Sequence, residues 1–154
     1  MAKGENALVA WLTERFAADA RRVPIGIGDD MALVRLDGPL VDAGYCHCRL
    51  CQRASGAPVV AWLTVDVPSF AWSVGSPRVF HSSPTCQRES CAVCGTQLVF
   101  RRSVDPRYVD VTIASLDAPA IVAPEYHIWR MSRLPWFDTA DALPRHEDAG
   151  PDQV

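Results

Sequence analysis

The 154-residue sequence contains no apolar run approaching the roughly 18 residues that a membrane-spanning helix needs. No membrane partner is expected. It also lacks a basic excess, because 15 Lys and Arg stand against 18 Asp and Glu for a formal net charge of −3. Nucleic acid is therefore not an expected partner, since a phosphate backbone calls for a positive stripe. Internal repeats and low-complexity segments are absent as well. The stretch MAKGENALVAWLTERF is amphipathic and carries acidic residues, so it does not read as a secretory signal. These absences point to a cytoplasmic, reducing compartment. Clustered cysteines there serve more often as metal ligands or catalytic groups than as disulfides.

What is present is the composition of a globular chain, 49% hydrophobic and 21% charged, long enough to bury one core. Leu8, Trp11, Leu12 and Phe16 recur at helical spacing and predict an N-terminal amphipathic helix over 6–18. A turn-like Ile25-Gly-Ile-Gly-Asp29-Asp30 then feeds a short strand over 31–36, which Asp37-Gly38-Pro39 breaks. Further strands are expected over 59–65, 70–74, 78–81, 96–101 and 108–114, the last with Val109, Val111 and Ile113 alternating against polar residues. The fold class is mainly β. Residues 1–36 read as a leading segment, 37–140 as the main domain and 141–154 as a polar surface tail.

Three of the six cysteines, Cys46, Cys48 and Cys51, form a C-x-C-x-x-C cluster. Such close neighbours are poorly placed for disulfides with one another. Their thiolates can instead converge on one Zn²⁺, which takes sulfur at about 2.3 Å in a tetrahedron. Cys91 and Cys94 form a second half-site, with Gly95 freeing the turn. Four protein ligands make a closed structural site, whereas three leave a position for substrate. Three thiolates on Zn²⁺ leave a net −1, a weak Lewis acid whose open position suits another thiol. That argument selects a ligand type and not a reaction.

Three segments together resemble the glutathione-dependent formaldehyde-activating enzyme family. They are Cys46-His-Cys48-Arg-Leu-Cys51-Gln-Arg-Ala-Ser55-Gly56, then Cys91-x-x-Cys94-Gly95-Thr96, then Pro124-Glu-Tyr-His127-Ile-Trp129 with Leu134-Pro-Trp136. The resemblance implies small coiled antiparallel sheets around zinc. It implies a catalytic zinc on Cys46, Cys48 and Cys51, and structural ligation by Cys91 and Cys94. The implied activity is a carbon–sulfur lyase that joins formaldehyde to glutathione, or parts them, as S-hydroxymethylglutathione, with a small thiol such as glutathione as partner. The alternative is a non-enzymatic zinc module that binds a partner, with Cys91 or Cys94 closing a Cys₄ site on the first cluster.

The family's structural zinc also uses an earlier C-x-C pair. Ile27 and Asp29 stand about where those thiols belong, so the second zinc lacks two sulfurs here. Cys86 is a candidate third ligand, and Asp29 or Asp30 a candidate fourth. Gly4-Glu5-Asn-Ala-Leu8 and Gly28-Asp29-Asp30 resemble the start of thiamine-monophosphate kinase, in which the Gly-Asp-Asp turn serves Mg²⁺–nucleotide binding. The rest of such a kinase is missing, so kinase activity is not expected. Arg49 and Arg53 flank the zinc cluster and are candidates to hold substrate carboxylates. Ser55 and His127 are candidates to line the substrate site. His47, between two ligands, is expected to face away from them, and Trp62, Trp72, Trp129 and Trp136 read as core.

Overall fold

Strand β4 (Val60–Asp66) reads Val-Ala-Trp-Leu-Thr-Val-Asp, and its two faces have different fates. Leu63 and Val65 are fully buried on one side, while Trp62 and Thr64 point to the other. Every neighbouring strand inherits that division. The computed structural model describes residues 23–25 and 33–150. The helix expected over 6–18 and the turn carrying Asp29 and Asp30 lie outside the described residues.

The main sheet also contains β3 (Leu40–Cys46), β6 (Pro77–Ser83), β7 (Cys86–Cys91), β8 (Gln97–Arg102), β9 (Asp105–Thr112) and β10 (His127–Ile128). Its order is β10-β3-β4-β9-β8-β7-β6. All pairs are antiparallel except β10 with β3. A smaller sheet of β1 (Val23–Ile25), β2 (Leu33–Leu36) and β5 (Phe70–Val74) has the order β1-β2-β5. Val34 and Leu36 of β2 join Leu63, Val65, Val99, Val109 and Val111 in one buried cluster, so the small sheet roofs the back of the large one. Burying each of these side chains contributes about 1.5–3 kcal/mol. The mainly β class is as the sequence implies.

The front face carries a row of paired residues across five strands. Asp42 pairs with Thr64, Thr64 with Asp110, Asp110 with Phe100, and Phe100 with Arg88. Partners in adjacent antiparallel strands share a face. Gly44 and Cys46, two and four residues beyond Asp42, stay on that face too. Gly44 is required there because a Cβ would overlap the Tyr126 ring.

One helix stands among the described residues, α1 (Arg49–Ser55), and the sequence reading did not foresee it. Its cap is a sulfur: Cys48 Sγ accepts from the Cys51 amide at 3.3 Å. Gly56 ends it in the left-handed region at φ 72°. Within the polar stretch expected as a surface tail, residues 144–148 run as a hydrogen-bonded strap along β10. The His127 amide donates to Pro144 O, the His146 amide to His127 O and the Trp129 amide to Asp148 O, at 2.7–2.8 Å. No helix among the described residues is long and apolar enough to cross a membrane.

Candidate metal centre and its cleft

Cys46 ends β3, Cys48 caps α1 and Cys51 lies in its first turn, so a strand end and a helix start fold three sulfurs together. The three Sγ atoms lie within 4.8 Å of one another. Four sulfurs on a tetrahedral Zn²⁺ are spaced by about 3.8 Å, so this donor set fits zinc in spacing and in softness. His47 does not belong to it. Its ring turns back, and Nε2 meets His127 Nδ1 at 2.9 Å.

Electrostatics make the cluster a cation site. Three thiols this close cannot all ionise without positive charge between them. Contacts from Cys46 and then Cys51 pull Cys48 down to about 2, with the backbone amides of α1 helping. Cys46 is pushed up by the same contacts, first from Cys48 and then from Cys51, and by burial. Cys51 is raised as well, since contact with Cys48 and burial outweigh the lowering by Cys46 and by the charge of Arg88. A divalent ion between the sulfurs would relieve this conflict by holding all three as thiolates.

The cluster forms one wall of a cleft of about 780 Å³, whose other walls include Trp62, Phe100, Tyr126 and Trp129. Trp129 is a non-glycine residue at φ 58°, a conformation costly for a bulky side chain and held here by its bond to Asp148. The tryptophans expected as core divide three ways. Trp62 is buried but faces the cleft, and Trp72 packs on the core with Nε1 donating to Glu89 at 2.9 Å. Trp136 is 74% exposed.

The structure gathers only some of the expected site residues. Arg49 lines the cleft mouth, with Nη1 donating to Gln52 Oε1. Arg53 is exposed and off the cleft lining. Ser55 is occupied in closing the helix, donating to Cys51 O at 2.9 Å and accepting from the Ala57 amide at 3.1 Å. His127 is fully buried behind the cluster, its Nε2 at 3.2 Å from both carboxylate oxygens of Asp141.

Cys86 does not join Cys91 as a third ligand. The two stand at opposite ends of β7, about 17 Å apart at the rise of an extended strand. Cys86 lines the cleft, while Cys91 lies on the opposite face, buried against the back core. Cys94 is exposed beyond β7, its Sγ 3.2 Å from Thr96 Oγ1. Gly95 does free that turn, at φ 79°. Among the described residues only Cys46, Cys48 and Cys51 form a group able to hold a metal.

Sequence reasoning missed Arg88. It is 7% exposed, its Nη2 lies 3.6 Å from Cys51 Sγ, and its guanidinium stacks on Phe100 at 4.9 Å from the ring centroid. An arginine between Gln87 and Glu89 looks solvated in sequence. Only the pairing of β7 with β8 turns it inward.

The family model of the glutathione-dependent formaldehyde-activating enzyme matches residues 33–132. A crystal structure of a Rhodobacter sphaeroides protein from structural genomics is similar at 17% identity and a TM-score of 0.46, covering 75% of this chain and 91% of that one. No curated protein matches the chain. The family match spans more than half of the sequence and takes in Cys46, Cys48, Cys51, Cys91 and Cys94, and the chain is a member of the glutathione-dependent formaldehyde-activating enzyme family.

Proposed function

We propose that the chain is a cytoplasmic, zinc-dependent carbon–sulfur lyase that forms or cleaves a thiohemiacetal of the S-hydroxymethylglutathione kind. The observation that carries this reading is the convergence of three sulfurs within 4.8 Å on the wall of a large cleft. Cys46, Cys48 and Cys51 would hold the zinc, which when bound lowers the pKa of a substrate thiol so that a thiolate is present at neutral pH. Among the described residues no fourth thiol lies within 4.8 Å of these three, which favours the open site over the closed Cys₄ module.

The protein's own groups do the rest. Trp62, Phe100 and Trp129 narrow the water around the cluster. Arg49 at the mouth is placed to meet a glutathione carboxylate. In the forward direction the thiolate sulfur bonds to the aldehyde carbon, the carbonyl π pair moves to oxygen, and that oxygen takes a proton. Cleavage runs the same steps backwards, returning the proton and releasing aldehyde and thiol. Held side by side in the cleft, the two reactants no longer need to meet by diffusion.

The test follows ¹³C-formaldehyde and glutathione by exchange NMR, with and without zinc-loaded protein. Interconversion with S-hydroxymethylglutathione should run faster than the spontaneous reaction and fall to the spontaneous rate with Cys48→Ala. Full turnover by a zinc-free variant sinks the reading.

A further inference from the structure

A guanidinium buried beside the sulfurs has an arm with nothing to bind. Arg88 Nη1 is enclosed and has no hydrogen-bond partner among the described residues, while Nη2 is engaged with Cys51 Sγ. Among the described residues no carboxylate pairs with Arg88. Glu89, its neighbour in sequence, lies on the other face of β7 and is bound by Arg101 at 2.6 Å and by Trp72 at 2.9 Å. A buried donor of this kind is costly unless something accepts from it. Arg88 also lines the cleft, so its guanidinium borders the space that a substrate would enter.

We infer that Arg88 is the anchor for a carboxylate on the thiol substrate, which makes the preferred substrate a mercapto acid with its carboxylate close to its sulfur. The inference rests on the thiol-binding reading above and narrows it. Two features support the anionic class. The planar fork of arginine suits a carboxylate better than a neutral acceptor. Phe100 beneath it fixes the plane of the fork and removes the rotamer cost of binding. Elsewhere the cleft sets Asp42, Asp110 and Glu125 beside Arg49 and Arg102, so the charge there is mixed. The short distance from Arg88 to Cys51 Sγ places the anion next to the sulfur cluster. The terminal carboxylates of a tripeptide thiol lie further from its sulfur.

The experiment is calorimetric titration of the zinc-loaded full chain with 3-mercaptopropionate and with its neutral methyl ester. The acid should bind wild-type protein about tenfold more tightly than the ester. Arg88→Met should abolish that preference, so that acid and ester bind the variant alike. Equal binding of acid and ester to the wild type overturns the inference and leaves the thiol-binding reading intact. Persistence of the preference in R88M overturns it too, since the metal alone would then account for the carboxylate. If neither compound binds the wild type, the thiol-binding reading fails and the anchor falls with it. If R88M does not fold, equal binding by the wild type still overturns the inference, and R88K takes the place of R88M. R88K, which keeps the charge without the fork, should retain only part of the preference.

Discussion

The rings of His47 and His127 are both fully buried and share one hydrogen bond, Nε2 to Nδ1 at 2.9 Å. Asp141 faces the far nitrogen of His127 at 3.2 Å through both oxygens. With that carboxylate ionised, His127 donates from Nε2, accepts at Nδ1, and leaves His47 to donate from its own Nε2. The loop between Cys46 and Cys48 is thereby tied to the strap that follows β10. The directions of two thiols of the candidate metal centre depend on a residue almost a hundred positions later.

Asp141→Asn keeps the shape of that chain and removes its charge. The Thr139 hydroxyl, then the Leu143 amide and His127, hold Asp141 at about 2, against an ordinary 3.8. A lowered carboxyl contributes stability that is present above pH 3.8 and is lost as pH falls through about 2. Melting temperatures of wild type and D141N, followed by circular dichroism, should differ at neutral pH and converge across that window. Parallel curves down to pH 2 would remove Asp141 from the account.

Asp110 has the opposite sign. Burial raises it from 3.8 to about 6, although the Thr64 hydroxyl pulls it down. A raised carboxyl contributes stability that is fully present below pH 3.8 and lost as pH rises through about 6. Asp110→Asn should therefore gain on wild type at pH 8 relative to pH 4, by on the order of 2 kcal/mol. Urea denaturation at the two pH values measures the gap. A constant gap would show that the carboxyl titrates normally.

Gly44→Ala tests the packing behind the cysteine loop. Its new methyl would overlap Tyr126, and overpacking of this sort costs about 1–3 kcal/mol. Tyr126→Ala in the same chain should recover most of the loss introduced by the methyl. A double-mutant cycle with no coupling would mean that Tyr126 is not what the methyl meets.

Metal content separates the cysteines. Alanine at Cys46, Cys48 or Cys51 should lower zinc per chain about tenfold or more in protein purified without added metal, because two thiols alone do not hold the ion. Alanine at Cys86 should leave the content unchanged, since that residue lies outside the three-sulfur group and at the far end of β7 from Cys91. Plasma mass spectrometry reads both outcomes. Loss of zinc in Cys86→Ala would contradict the strand geometry.

The parts of this molecule visible in sequence are those whose signal is local. Strands β4, β5, β8 and β9 carry apolar runs or alternation, and they fall within a few residues of expectation. The cluster at Cys46, Cys48 and Cys51 was legible because its spacing is itself the geometry. Strand β3 was not, because it carries Asp42 and Gly44 and its packing partner, Tyr126, lies far along the chain. Strand β7 reads Cys-Gln-Arg-Glu-Ser-Cys, polar throughout, and is internal only because Arg88 and Glu89 find partners on opposite faces. Helix α1 is two turns long and capped by a sulfur, so no periodicity announced it. Cys86 misled because five residues span a ligand turn in a loop but a whole strand when extended.

The strap has a further role at the margin of the sheet. Residues 144–148 occupy the free side of β10, with Arg145 bridging in parallel to His127, while β6 at the opposite margin shows Val79 and Phe80 to solvent. Among the described residues only one border of this sheet is sealed. A protease nick or fusion junction before residue 144 would unseal the second, giving the polypeptide two templates for fibril growth instead of one.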